Sequence, residues 1–122
     1  MTTMEIGKQL VELCKQGKND DAIASLYSQD IVSVEAGAPP GQEATTRGLD
    51  GVKGKSKWWA ENHTVHSAQV DGPYPHGDRF VVKFVYDITF KPQDRRFTME
   101  EMALYTVAND KIVKEEFFYS MG

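Results

Sequence analysis

Residues 79–91 read Arg-Phe-Val-Val-Lys-Phe-Val-Tyr-Asp-Ile-Thr-Phe-Lys. Phe80, Val82, Phe84, Tyr86, Ile88 and Phe90 fall at every second position, with Val81, Lys83, Val85, Asp87 and Thr89 between them. Alternation with a period of two is the signature of a β-strand with one face on a core. A strand over Arg79–Lys91 would extend about 43 Å at about 3.3 Å per residue, long for a small domain. Long strands twist, and a sheet built from them has a concave face that something must fill.

Downstream, Phe97–Ala108 and Lys111–Tyr119 continue as two further strands of a meander. Lys91–Arg96 joins the first two, and Asn109-Asp110 supplies two-residue hairpin chemistry between the last two. Upstream, Thr3–Gln16 has Ile6, Leu10, Leu13 and Cys14 at helical spacing, with Thr2 or Thr3 to cap it and Gly17 to end it. Asn19 or Asp20 caps a second short helix through Tyr27. Asp30–Glu35 reads as a short strand, Ala36–Gln42 as a loop, Ala44–Arg47 as a short returning strand, and Gly48–Glu61 as a third helix. His63–Val70 is a strand of mixed polarity, and Asp71–Asp78, with Gly72, Pro73, Pro75 and Gly77, reads as a stiff turn region. Helices first and a meander after predict one α+β domain over residues 1–122.

The totals exclude several function classes. The chain has 122 residues, 40% hydrophobic and 26% charged, with a net charge of −4. That balance suits a folded domain and disfavours nucleic acid and anionic membrane surfaces as partners. No apolar run approaches the ~20 residues of a membrane span. The start, Met1-Thr2-Thr3-Met4-Glu5, lacks the basic and apolar segments of a secretory signal, so a cytoplasmic location is expected. The single cysteine, Cys14, sits among Leu10, Val11 and Leu13 and reads as an inert buried thiol.

Few motifs carry chemistry. Gly48-Leu49-Asp50-Gly51-Val52-Lys53-Gly54-Lys55-Ser56 imitates a P-loop, but five residues separate Gly48 from Gly54 where four are needed, and no buried strand precedes it. His63 and His66 would point to opposite faces of a strand, so no metal site is expected. Arg47, Lys53, Lys55 and Lys57 read first as a solvated basic face and second as a lure for an anionic ligand. Trp58-Trp59 serves either the core or the wall of an apolar cavity. Glu35 ends the first strand, and alternation sends one of Glu100/Glu101 and one of Glu115/Glu116 inward. An inward carboxyl is desolvated and becomes a competent acid or base near neutrality, or else joins a structural network. A single bulge would exchange the members of either pair.

Two N-terminal helices, the segment Leu26-Tyr27-Ser28-Gln29-Asp30-Ile31-Val32, a third helix and a long meander closing on Asp110-Lys111-Ile112-Val113 resemble the nuclear-transport-factor-two-like superfamily, in its SnoaL-like branch. The resemblance implies a cone-shaped half-barrel, with three N-terminal helices on a strongly curved, mainly antiparallel sheet. It implies an apolar pocket for a small organic molecule and a homodimer through the outer sheet face. Ketosteroid isomerases share this superfamily. Counted from Leu26-Tyr27, their catalytic carboxylate falls at Glu35, and counted back from Asp110-Lys111-Ile112-Val113, their protonated carboxylic acid falls at Glu101. Their helix-one tyrosine falls at Leu10 or Val11, so that hydroxyl is missing and steroid isomerisation is disfavoured. SnoaL-type cyclases use an acidic residue and a histidine, for which His63 or His66 is available.

Two functions are expected from this. One is a cofactor-independent isomerase, cyclase, dehydratase or hydrolase with Glu35 as base and Glu101 or Glu115 as acid. Its pocket would be walled by Tyr27, Trp58, Trp59, His63, Phe84, Tyr86, Tyr105 and Phe117. The other is a non-catalytic small-molecule-binding or dimeric interaction protein of the same fold, because fold alone does not dictate function.

Overall fold

The computed structural model describes residues 1–38 and 40–120. Pro39, in the expected Ala36–Gln42 loop, lies outside the described residues. Helix α1 (Thr3–Lys15) opens on a capping box in which Thr2 accepts from the Glu5 amide and Glu5 accepts from the Thr2 amide. Helix α2 (Asn19–Leu26) follows, then strands β1 (Tyr27–Val34) and β2 (Thr45–Arg47), helix α3 (Leu49–Asn62), and the long strands β3 (His63–His76), β4 (Arg79–Phe90), β5 (Arg95–Ala108) and β6 (Lys111–Phe118).

The six strands form one sheet in the order β2-β1-β6-β5-β4-β3. Every pairing is antiparallel except β1 with β6, which is parallel. The three helices lie on one face of this curved sheet, which gives the α+β cone-shaped half-barrel expected from the sequence. The alternation of β4 is the alternation of burial: Phe80, Val82, Phe84 and Ile88 are buried, the first three in one core with Ile6 and Leu10 of α1, Leu26 and Ile112. Asn109 and Asp110 both take positive φ, 52° and 63°, as a tight β5–β6 hairpin requires.

The main departure is residues 71–76. They are not a turn but the second half of β3, paired with β4 through His76↔Arg79, and only Gly77-Asp78 turns. Two circumstances make this stretch a strand. β3 is the sheet's edge, where a proline need not donate to a second neighbour. The pairing also shifts register between Asp71 and Tyr74, and Gly72 enters that bulge at φ 136°. Smaller shifts occur elsewhere: β1 starts at Tyr27 rather than Asp30, and β5 at Arg95 rather than Phe97.

The bulge carries Pro73 up against α1. A Cβ on Gly7 would lie 2.8 Å from Pro73 Cβ and 3.3 Å from a Phe80 ring carbon. Gly7→Ala is therefore expected to destabilise the fold by about 1–3 kcal/mol through overpacking, outweighing the gain in helix propensity of about 1 kcal/mol. Urea unfolding checks this, and an unchanged or higher midpoint would show that α1 shifts freely off Pro73.

Candidate functional site

A cavity of about 350 Å³ lies between the helices and the concave face of the sheet. Its helical wall comes mainly from α3, where Val52, Lys55, Ser56 and Trp59 recur at the i, i+3, i+4, i+7 spacing of one helix face. Its sheet wall comes from β4 with Phe84 and Tyr86, β5 with Met99, Glu101 and Tyr105, and β6 with Glu115 and Phe117. Tyr27, from the start of β1, and Glu35 and Tyr119, just beyond β1 and β6, complete the polar side.

The strands settle which glutamates turn inward. In β5 the inner face is Met99, Glu101, Ala103, Tyr105 and Val107, so Glu101 faces the cavity, while Glu100 lies outside, 3.6 Å from Lys83 Nζ. In β6 a bulge decides. Val107 pairs with Ile112 but Thr106 pairs with Lys114, leaving Val113 as an extra residue. The bulge lets Ile112 at 0% exposure and Glu115 at 3% share the inner face although they are three residues apart. Phe117 and Tyr119 follow Glu115 inward.

The polar groups form one chain. The Tyr27 hydroxyl donates to Glu115 Oε2, and the Ser33 hydroxyl donates to Glu115 Oε1 at 2.8 Å. Lys55 Nζ donates to Ser33 Oγ at 2.5 Å and to Glu35 Oε1 at 2.7 Å. The Tyr119 hydroxyl donates to Glu35 Oε2 at 2.9 Å. Both oxygens of Glu35 and both of Glu115 are thus engaged. Glu101 differs: among the described residues no side chain hydrogen-bonds its carboxylate.

The electrostatics follow from that arrangement. Burial, then the nearby Glu35 and Glu115, push the Glu101 carboxyl up to about 7, against a smaller opposing pull from Lys55. Burial also raises Glu115, opposed by its hydrogen bond from Tyr27, by Lys55 and by Ser33. The Tyr27 and Tyr105 hydroxyls are held far above the ordinary tyrosine range, mainly by burial and then by Glu115. Cys14 reaches the cavity wall, but burial pushes its thiol up to about 12, so it stays neutral.

The cavity brings together Glu35, Glu101, Glu115, Tyr27, Trp58, Trp59, Phe84, Tyr86, Tyr105 and Phe117. Trp58 does so from the rim, at 56% exposure. His63 does not line it. Its ring stacks on Trp59 at 4.4 Å, its Nδ1 donates to the Trp59 carbonyl at 2.7 Å, and Phe90 packs beside it at 5.2 Å. His63 is a prop that orients Trp59, since a ring closing β3 against the end of α3 faces the helix and not the void. His66 lies on the surface against Thr89. Ser33 and Tyr119 are polar residues that reading the sequence passed over, and Lys55 was read first as part of a solvated basic face and second as a lure for an anionic ligand. Lys53 and Lys57 are solvated as expected, and Lys55 alone turns in. Among the described residues no three His, Cys, Asp or Glu side chains gather as a metal site. No described helix is long and apolar enough to cross a membrane.

The family model described as a SnoaL-like domain matches residues 1–119. The chain belongs to this SnoaL-like family. A candidate SnoaL-like polyketide cyclase (also labelled carbohydrate phosphatase) from Mesorhizobium loti is 45% identical, with a TM-score of 0.92, over 98% of this SnoaL-like chain and 100% of the other. A candidate isomerase from Bacillus subtilis matches at 13% identity and TM-score 0.81, over 98% and 90% of the two chains. A ketosteroid isomerase-like protein from Catenulispora acidiphila, in complex with trimethylamine, matches at 22% identity and TM-score 0.74, over 98% and 88%. The last two show the shared fold alone. No curated protein matches the chain.

Proposed function

We propose that this SnoaL-like domain is a cofactor-independent enzyme that moves a proton on a small, mostly apolar carbonyl compound, with Glu101 as the proton-transfer group. The observation that carries this reading is a carboxyl titrating at about 7 on the wall of a cavity, with no side chain holding it. A group with that value is substantially present as both acid and base near neutral pH, which is what proton transfer in both directions needs. A cavity of about 350 Å³ is at the small end of the ~300–1,000 Å³ range of ligand sites. The aromatic walls give an apolar molecule its binding surface, and the Lys55 ammonium, with one N–H left after those given to Ser33 and Glu35, lies where a carbonyl oxygen could be polarised. Glu35 fits this scheme as the anchor of Lys55 and Tyr119 better than as a free base, because both its oxygens already accept hydrogen bonds. The candidate cyclase and isomerase labels of the relatives are compatible with enolate chemistry of this kind.

The test is hydrogen–deuterium exchange at carbon next to the carbonyl, followed by proton NMR on a panel of small cyclic ketones in D2O. The wild type should exchange saturably, and Glu101→Gln should lose that exchange. Equal exchange by both proteins would overturn the assignment. Saturable binding without exchange would favour the non-catalytic binding protein. The same reading places the protein in the cytoplasm and pairs two copies through the outer sheet face, where Met102 and Phe118 are exposed cross-strand neighbours. Sedimentation of Phe118→Glu against the wild type checks the pairing, and two identical monomers would refute it.

A further inference from the structure

Three carboxyls, Glu35, Glu101 and Glu115, share this cavity, and among the described residues Lys55 is the one cation on its wall. The ammonium sits between two of them, directly on Glu35 at 2.7 Å and through the Ser33 hydroxyl, 2.5 Å away, on Glu115. Its position is held by Glu35, by Ser33, which is fully buried, and by the Phe117 ring, whose centroid lies 5.2 Å from the ammonium. An ammonium on a flexible four-carbon stem gives up rotamer freedom to keep these contacts.

We propose that Lys55 is a positioning residue that decides which cavity carboxyl holds the exchangeable proton: it anchors Glu35 and, through Ser33, Glu115, and so leaves Glu101 to exchange with the ligand. This extends the reading of Glu101 as the proton-transfer group and rests on it. The reasoning is electrostatic. Around Glu101 the titratable groups are Cys14 from α1, Tyr27 and Glu35 from β1 and its end, Lys55 from α3, Tyr86 from β4, Tyr105 from β5, and Glu115 and Tyr119 from β6 and beyond. Only Lys55 among them favours the ionised form of a carboxyl by charge. With it gone, Glu35 loses its ion pair, Ser33 loses the donor that orients its hydroxyl, and every remaining charge near Glu101 is negative. The acidic form of Glu101 then persists to higher pH, and a protein working near neutrality loses its base.

The test follows the carboxyl carbons by carbon-13 NMR against pH, with Glu101 assigned by its absence in Glu101→Gln. Lys55→Met should raise the Glu101 midpoint, by at most about one unit, the low end of the effect of losing a neighbouring opposite charge. Lys55→Arg, which keeps the charge, should restore most of the wild-type midpoint. Ser33→Ala should raise the Glu115 titration while leaving the Glu35–Lys55 pair in place. A lysine that merely supports the fold would lower stability without moving the Glu101 midpoint, and that result would overturn the proposal. Lys55→Gln serves as the neutral variant if Lys55→Met does not fold. The readout needs no substrate. A failure to find proton exchange on ketones would count against the proposed reaction, whereas an unmoved Glu101 midpoint would count against Lys55.

Discussion

Glu101→Gln is expected to slow proton exchange on a bound ketone by about 10²–10⁴-fold, the usual contribution of a positioned general acid or base. The substitution changes little else. Glutamine has the shape of a protonated glutamate, so the cross-strand pairing of Glu101 with Phe84 and the wall it completes are kept. The loss should therefore fall on kcat, with KM nearly unchanged, as for an interaction made only in the transition state. The pH profile carries the sharper information. If Glu101 removes the proton, the wild-type rate rises with pH through about 7 and levels off once the carboxyl is ionised. If it donates, the rate falls over the same interval. In either case Glu101→Gln removes the inflection that belongs to Glu101, and any that remains belongs to another group, with Glu115, whose carboxyl burial also raises, the first to consider. An inflection near 7 that survives the substitution would show that a different group transfers the proton.

Most of the architecture was legible because its signals are local. The alternation of residues 79–90 states that β4 is half-buried, and Asn109-Asp110 states that a hairpin follows β5. Glu101 was legible by parity too, since Phe97, Met99, Ala103, Tyr105 and Val107 mark the odd positions of β5 as its inner face; the apolar Met102 and Leu104 on the even positions obscured it. Glu115 was not legible. Its orientation depends on the extra residue at Val113, and that bulge follows from how β6 pairs with β5, not from any residue in β6. Lys55 was legible by spacing from Val52 and Trp59 but hidden by chemistry, because a lysine beside Lys53 and Lys57 reads first as solvated until its carboxylate partner, Glu35, is in view. Residues 71–76 misread for the opposite reason. Their glycine and prolines are turn signals in isolation, and only the sheet order shows that β3 is an edge where such residues are tolerated.

The same carboxyl should make this protein lose stability as pH rises from acid toward neutral, and Glu101→Gln should remove the share of that loss that Glu101 carries. An acid whose folded value is raised binds its proton more tightly in the folded chain than in the unfolded one. Between the two values the native state holds more protons, so stability falls with increasing pH. For Glu101 the interval runs from 4.5 in the unfolded chain to about 7 in the fold. At about 1.36 kcal/mol per unit, the cost above pH 7 is about 3 kcal/mol, a large share of the ~5–15 kcal/mol that holds a typical domain together. Glu115 acts in the same direction, because its carboxyl is raised as well. Exposed Glu5 and Asp110 and half-buried Asp87 act oppositely. Hydrogen bonds and opposite charges lower them, so their stabilisation is present above the ordinary carboxylate range and is lost only as pH falls below it. The two sets therefore work in separate windows. Urea unfolding of wild type and Glu101→Gln should give nearly equal stabilities at pH 4, diverging upward in favour of the variant to about 3 kcal/mol by pH 8. Parallel curves would mean that Glu101 is no harder to ionise in the fold than in water. A variant that is slower and yet more stable would instead place the cost of an ionised carboxyl where the chemistry requires it, as a stability–activity trade-off predicts.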